Sequence, residues 1–380
     1  MKLALLGIGT VGTGVYEMLC ASPAFEVSRV LVREGKADAP YKCTDIRTIT
    51  EDSEISVVAE LMGGIEPAFS YLSAAIKAGK HAVTANKALV AEKGIELARL
   101  ARENGVSFLF SAACGGGVPF LHNLALAAEG DEIVSLSGIL NGTTNFMLDR
   151  MQRMGMDYAE ALREAQQRGY AEADPSADVS GLDALRKLML SCAVAYDKLP
   201  AEGFCREGIE SFTAADVAHI QSLGLCCRLI VRGGMVGEKL YAFVEPVLFP
   251  ATESECCVLE NYNMAKYVGK NAGPMVFIGQ GAGRYPTASA VVRDICSVGS
   301  AREMLREGCE KVSADNSVCF ERYYVHLPKA FGNRFRSEQL WDEGETLRLI
   351  SGKLSVQEMH AIANEIREKG GSIFFAAMGE

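Results

Sequence analysis

Between residues 169 and 187 the chain reads Gly169-Tyr170-Ala171-Glu172-Ala173-Asp174-Pro175-Ser176-Ala177-Asp178-Val179-Ser180-Gly181-Leu182-Asp183-Ala184-Leu185-Arg186-Lys187. Four carboxylates and a lysine sit in a Gly/Pro-punctuated loop that runs into an apolar-periodic stretch. Asp183 and Lys187 are four apart, so on a helix they share one face. Tyr158 to Arg168 reads as the preceding helix, with Gly169 as its stop. These residue types suit chemistry on a small charged molecule. Carboxylates and a lysine are residue types that can take part in acid–base chemistry. An isolated Asp-x-x-x-Lys pair is more often a surface ion pair than a site, so the context supplied by the rest of the chain decides.

That context begins at the other end. The apolar run Lys2 to Leu6 leads into Gly7-Ile8-Gly9-Thr10-Val11-Gly12 and a helical pattern through Leu19. In such a fingerprint Gly7 makes the tight turn, Gly9 lets backbone approach a pyrophosphate and Gly12 allows close helix–strand packing. The N–H groups of Thr10 and Val11, at the start of the helix, are free to hold phosphates. A second strand, Val27 to Val32, ends at Arg33-Glu34. An acid there favours the ribose hydroxyls of NAD, whereas an arginine meets the 2′-phosphate of NADP. Arg33 tilts the reading toward NADP.

The elements that must position these groups follow in order. Up to about residue 110, short strands alternate with helices, the mark of a parallel sheet wound on both faces. Ser56 to Met62 is a strand ending in Gly63-Gly64, with Pro67 opening the next helix. His81 to Thr84 is another strand, ending at Ala85-Asn86-Lys87 and followed by a helix over 91–104 and a strand over Val106 to Ser111. Ligands bind beyond the carboxyl ends of such strands, so Gly63, Thr84 and Lys87 fall on the rim of the fingerprint. After Ala112-Ala113-Cys114-Gly115-Gly116-Gly117-Val118-Pro119 comes a helix and then a strand from Glu132 to Leu140. It ends in Asn141-Gly142-Thr143-Thr144-Asn145, a turn rich in neutral donors, which also reads as a helix cap supplied by Thr144. Residues 200–275 read as mixed apolar structure, suited to a sheet that covers a site and pairs subunits. Gly279 to Ala290 is a second glycine loop opening a helix through Ile295. Residues 323–380 read as a separate tail with a strand at Tyr323 to Leu327, a helix at Ser355 to Lys369 and a strand at Ser372 to Ala376.

At 380 residues, 49% hydrophobic and 23% charged, the composition is that of a globular chain of two or three domains. A net charge of −10 argues against nucleic acid or an anionic membrane as partner. The strand at residue 2 leaves no room for a secretory signal, and no apolar run spans a membrane, so a cytoplasmic chain is expected. The 12 cysteines contain no Cys-x-x-Cys, and Cys226-Cys227 and Cys256-Cys257 fit neither a zinc knuckle nor a disulfide framework. The five histidines form no cluster in sequence.

The fingerprint, Val83-Thr84-Ala85-Asn86-Lys87, Leu140-Asn141-Gly142-Thr143-Thr144-Asn145, the Gly169–Lys187 block, and Gly281-Ala282-Gly283 with Pro286-Thr287-Ala288 together resemble homoserine dehydrogenases, in family order across roughly residues 1–300. The block is specific to that family, while the nucleotide loop is shared widely. The resemblance implies an α/β chain in which a Rossmann-like doubly wound parallel sheet is joined to an α+β substrate and dimerisation domain. The expected division is 1–130 for nucleotide binding, completed by a returning segment of about 279–320, then 131–278 for substrate and catalysis, and 323–380 as a short tail. It implies NAD(P)-dependent interconversion of L-homoserine and L-aspartate 4-semialdehyde, in threonine and methionine biosynthesis, by a homodimer. Lys187 matches the family's proton donor, and Glu172 and Asp183 match residues that bind homoserine. Lys87 matches a lysine at nicotinamide and substrate, Asp178 an acid at the site, and Thr143 a substrate-binding residue. Gly169, Gly281 and Gly283 match cofactor contacts.

Two departures stand out. The family often has a glutamate where this chain has Ser111, so the backbone carbonyls of Cys114, Gly116 and Val118 are left to hold a monovalent cation without a carboxylate, and little cation dependence is expected. The tail opens like a regulatory ligand-binding module of the ACT type but is short for a complete copy. It reads as a truncated module or as an oligomer contact, without threonine feedback. Two other readings also fit the nucleotide half: another NAD(P)-dependent dehydrogenase of a small amino or keto acid, and a catalytically silent NADPH-binding regulator. The second would require damage among Lys87, Glu172, Asp183 and Lys187, all of which are present.

Overall fold

Residues 1–35 and 40–379 are described by a computed structural model of the chain. The first six strands are β1 (Lys2–Leu6), β2 (Glu26–Leu31), β3 (Lys42–Cys43), β4 (Val57–Glu60), β5 (His81–Thr84) and β6 (Phe108–Leu109). They form one sheet in the order β3-β2-β1-β4-β5-β6, with every pairing parallel. Strands with both faces covered must be apolar throughout, and β4 is buried at all four positions. Helices α1 (Thr10–Cys20), α2 (Arg47–Thr50), α3 (Ala68–Lys77) and α4 (Lys87–Glu103) connect the strands. The order reverses at β1 and β4, which places the crevice for a ligand at their carboxyl ends.

Helix α5 (Phe120–Gly130) leads out to a second sheet. It contains β7 (Ile133–Ile139), β9 (Cys205–Arg206), β10 (Leu225–Val236), β11 (Lys239–Pro250), β12 (Tyr262–Gly269) and β13 (Gly273–Gln280), while β8 (Lys198–Glu202) lies apart from it. Helices α6 (Gly142–Met154), α7 (Tyr158–Gln167), α8 (Ser176–Val179), α9 (Leu182–Tyr196) and α10 (Ala214–Ser222) belong to the same region. The chain then returns to the first sheet through α11 (Arg284–Ser297). A Cβ on Gly14 of α1 would lie 3.0 Å from the Arg284 side chain and 3.1 Å from that of Ala288, so the two helices touch without space between them. A short strand, β14 (Glu310–Ser313), then pairs in parallel with β8.

The last segment departs from the expected separate tail. Beyond the short pair β15 (Phe320–Glu321) and β19 (Leu354–Ser355), it forms β16 (Tyr323–Pro328), β17 (Ser337–Asp342), β18 (Thr346–Ser351), α12 (Val356–Glu368) and β20 (Phe374–Met378). Its four long strands lie in the order β20-β16-β18-β17, and β20 pairs in parallel with β11, so the tail extends the second sheet to ten strands among the described residues. A β-α-β-β-α-β module would place a helix between its first two strands. Here that link is a six-residue 3-10 segment, Lys329–Arg334. Helix α10 covers the face left bare: Asp216 lies 2.7 Å from His326, and His219 lies 3.2 Å from the Tyr324 hydroxyl and against the Trp341 ring.

One further reading is corrected. Cys226 and Cys256 are joined by a disulfide across 30 residues of sequence. Neither adjacent-cysteine spacing reveals it, because the β10–β11 hairpin and a 3-10 turn bring the two together. The other ten cysteines among the described residues are free thiols. No helix among the described residues is long and apolar enough to cross a membrane.

Candidate active site between the two sheets

The fingerprint folds as its glycines require. Gly7 has φ +99°, and a Cβ on Gly12 would lie 2.5 Å from the Gly7 carbonyl oxygen. No side chain caps α1 at Gly9, no acid sits in its first turn, and the space where a Gly9 side chain would stand is open. The bare helix start is the cradle a pyrophosphate needs. Arg33 is exposed just past the end of β2.

The rim beside it is braced by a residue the sequence reading passed over. Glu60, fully buried at the end of β4, accepts from the N–H groups of Met62 (2.7 Å) and Gly63 (3.2 Å) and from the Thr84 hydroxyl (2.6 Å). The Thr84 side chain is thus spent on Glu60, and Thr84 lies outside the cavity described below. The Thr84 hydroxyl also accepts from the Asn86 N–H at 3.0 Å. Asn86 in turn caps α4, accepting from Leu89 N–H at 3.1 Å and donating to the Gly64 carbonyl at 2.5 Å. The cap makes Lys87 the first residue of α4, four residues before the start expected at 91, and sets it at the mouth of the crevice.

Opposite lies the Gly169–Lys187 block. Gly169 takes φ +75° after α7, and Gly181, at φ +77°, opens α9. One helical turn joins Asp183 to Lys187 at 2.7 Å, and the other oxygen of Asp183 receives Lys87. The Asp183 carboxylate thus bridges two lysines that are 100 residues apart in sequence. Asp183 and Lys187 are 7% and 8% exposed, little enough for burial to matter. Burial opposes charge on both, and in both the partner's charge prevails. The Lys187 and Lys87 ammoniums hold the Asp183 carboxyl well below the usual range, and Asp183 raises Lys187 above an ordinary lysine. Lys187 also donates to the Leu140 carbonyl at 2.5 Å. An ammonium has three N–H bonds, so one is left for the cavity.

Asn141 organises the acids. Its oxygen caps α6 by accepting from the Thr144 N–H at 2.8 Å, so the cap is Asn141 and not Thr144 as the sequence reading has it. Its amide donates to Asp178 at 2.7 Å and to Asp183 at 3.0 Å. Asparagine at the end of a strand and before an apolar helix is a strong cap signal that could have been read. Burial raises the Asp178 carboxyl, against the pull of Asn141 and Thr143. The Thr143 hydroxyl donates to the Tyr170 carbonyl at 2.6 Å and lies 3.2 Å from Asp178.

These groups line one cavity of about 740 Å³. Of the expected residues it brings together Gly63, Lys87, Gly116, Thr143, Gly169, Glu172, Asp178, Asp183, Lys187, Gly281 and Gly283, and leaves Gly7, Gly9, Thr10, Val11, Gly12 and Arg33 beyond it, along the crevice of the first sheet. The two glycine loops interlock here: a Cβ on Gly116, which has φ +53°, would lie 2.5 Å from the Gly281 oxygen. Cys114 and Val118 are buried and do not line the cavity. The Ser111 N–H donates to Asp294 at 2.8 Å, and its buried hydroxyl faces the same carboxyl. Burial pushes the Asp294 carboxyl up to about 6. No group of three or more His, Cys, Asp or Glu side chains among the described residues could hold a metal ion.

Comparison with known proteins agrees with this geometry. The model of the homoserine dehydrogenase family matches residues 119–296, and that of the homoserine dehydrogenase NAD binding domain matches residues 7–111. Homoserine dehydrogenase of Synechocystis sp. is 42% identical over 318 residues, covering 78% of this chain and 73% of the relative. That of Lactococcus lactis is 37% identical over 368 residues, covering 90% and 86%. Among solved structures, a homoserine dehydrogenase from Thiobacillus denitrificans superposes with a TM-score of 0.88 at 28% identity, covering 100% of this chain and 98% of that one. A hyperthermophilic archaeal homoserine dehydrogenase in complex with NADPH superposes at 0.68 and 25% identity, covering 80% and 100%. With its nucleotide fold, its bridged lysines and these relatives in agreement, the chain belongs to the homoserine dehydrogenase family.

Proposed function

We propose that the cavity around Asp183 is where this NAD(P)-dependent oxidoreductase interconverts L-aspartate 4-semialdehyde and L-homoserine. The observation that carries the reading is the bridge of Lys87 and Lys187 by one buried carboxylate. The nicotinamide cofactor, when bound, supplies or takes up the hydride, and the residues suited to hold it are Gly7, Gly9, Thr10, Val11 and Gly12, with Gly63, Gly169, Gly281 and Gly283 toward the cavity. Lys187 directs its remaining N–H at the substrate carbonyl oxygen, steadies the charge that develops there and gives it the proton. Asp183 keeps Lys187 charged for that role and ties Lys87 into the same cluster. Glu172 and Asp178 take the substrate's α-ammonium. Thr143 and Asn141 orient Asp178.

Arg33 favours NADP over NAD. The chain acts as a cytoplasmic homodimer. Ten of the 12 cysteines are free thiols, which suits a reducing compartment even though Cys226 and Cys256 are joined, and the edge strand β13 exposes Met275, Val276 and Ile278 for a second copy. The tail serves as a structural extension of the sheet and not as a threonine sensor. The primary test is oxidation of NADPH and of NADH by the purified protein on addition of L-aspartate 4-semialdehyde. Rapid turnover is expected, faster with NADPH; a folded, cofactor-binding protein that turns over neither would overturn the reading. Ser111 offers a cation only a neutral oxygen where an anionic one would strengthen the site. Replacing sodium or potassium chloride by a tetraalkylammonium salt of equal ionic strength is therefore expected to change the rate less than about twofold.

A further inference from the structure

The substrate proposed above carries an α-carboxylate as well as an α-ammonium, and none of the groups discussed so far receives it. A buried or half-buried carboxylate needs a cation that is not already neutralised. Four cationic side chains line the cavity among the described residues: Lys87, Arg168, Arg186 and Lys187. Lys87 and Lys187 are both committed to Asp183. Arg168 is 2.6 Å from Glu164 and lies over the Phe146 ring, which holds its guanidinium against α6 and α7. Arg186 has neither a hydrogen bond nor an ion pair, although it sits half-buried on the helix that carries Asp183 and Lys187. An unpaired arginine on the surface is ordinary. Arg186 stands between this cavity and a neighbouring one lined by Leu182, Leu185 and Phe204, and among the described residues it is the cation of the active-site cavity with no carboxylate partner.

We propose that Arg186 is a specificity-determining residue that binds the α-carboxylate of the substrate, a role that rests on the homoserine reading. Lying three residues after Asp183 and one before Lys187, it stands on the flank of α9 beside the pair. The planar guanidinium offers paired N–H donors that match a carboxylate in a two-point contact, which a lysine cannot reproduce. The cavity then reads the substrate at three points: the carboxylate at Arg186, the ammonium at Glu172 and Asp178, and the reacting oxygen at Lys187. Arg186 takes no part in proton transfer, so its loss acts on substrate capture.

The test compares L-homoserine with its carboxamide, which keeps the ammonium and the hydroxyl but lacks the negative charge. Oxidation of both by NADP is followed for the parent protein, Arg186→Gln and Arg186→Lys, with the NADPH dissociation constant measured alongside. In Arg186→Gln, kcat/KM for homoserine is expected to fall about 10- to 100-fold, chiefly through KM. The value for the carboxamide should stay within about threefold, so that the preference between the two collapses. Arg186→Lys should restore part of the preference, and it carries the test if the Gln variant does not fold. A parallel loss on both substrates would make Arg186 structural and overturn the proposal. So would weakened NADPH binding with the preference intact, which would assign Arg186 to the cofactor. If the parent protein oxidises no homoserine at all, the substrate reading fails and this inference falls with it; if it does and the preference is unmoved, the inference alone fails.

Discussion

Replacing Asp183 by Asn tests the electrostatic core of the site. The substitution keeps the size of the side chain but removes the charge that raises Lys187. Lys187 then retains the Leu140 carbonyl as an acceptor while remaining 8% exposed. Burial, which already works against its charge, is then opposed only by the weaker pull of Cys114 and Asp178. The Lys187 pKa should therefore fall in the variant. Aldehyde reduction needs the charged form. The ratio of parent to variant kcat should therefore climb about tenfold per pH unit above the variant's new pKa. It should be smallest near pH 6 and about 100-fold larger two units above that pKa. The assay is kcat for homoserine formation between pH 6 and pH 9 at saturating NADPH. A ratio that stays flat across that range would refute the claim that Asp183 keeps Lys187 charged. Stability should follow the same linkage. Asp183 has a depressed pKa, so its contribution is present above the ordinary aspartate range and is lost as pH falls through the folded value. Lys187 has a raised pKa, so its contribution is present below the ordinary lysine range and is lost as pH rises through the folded value. Both therefore stabilise the fold at neutral pH, and the variant, with two lysines facing a neutral amide, should lose about 3 to 5 kcal/mol in denaturant titration.

Asn141→Ala removes a helix cap and two hydrogen bonds to carboxylates. It should cost about 2 to 4 kcal/mol of stability by urea unfolding and raise KM for homoserine. Arg33→Ala should lower the ratio of NADPH to NADH turnover by about 10-fold or more, with NADH kinetics little changed; equal losses with both cofactors would remove Arg33 from the 2′-phosphate site. Gly116→Ala forces a Cβ against the Gly281 carbonyl and strains a positive φ. We expect weaker NADPH binding, measured by fluorescence titration, together with a loss of stability of at least about 1 kcal/mol.

Local patterns carried much of this structure. The strand His81–Thr84 has the limits expected from its apolar run, and the spacing of Asp183 and Lys187 placed them on one helical face. Where the reading slipped, a contact distant in sequence had intervened. The strand expected over 106–111 gives way at Ser111 to a 3-10 turn, where the Ser111 N–H is taken by Asp294 from α11. Helix α4 begins at Lys87, not 91, because Asn86 caps it, a local signal that is legible in the sequence. The joining of Lys87 to Asp183 was beyond any spacing rule, since the two lie on different sheets' helices and meet only when the domains assemble. Glu60 was missed for a similar reason. An acid at the end of an apolar strand looks like a surface residue until the turn that it binds folds back over it.

The last strand pairing has a consequence for the integrity of the whole chain. Because β20 pairs with β11, the final residues of the chain cover a row of backbone groups that would otherwise be unsatisfied at the border of the catalytic sheet. A protein cut short near residue 320 would keep every residue of the cavity and yet present an open, apolar strand border along Val247 and Leu248, both fully buried in the intact chain. Such borders invite strands from other molecules. The segment thus shields that border, and its removal should be felt first as self-association in solution, before any change in the chemistry of the site.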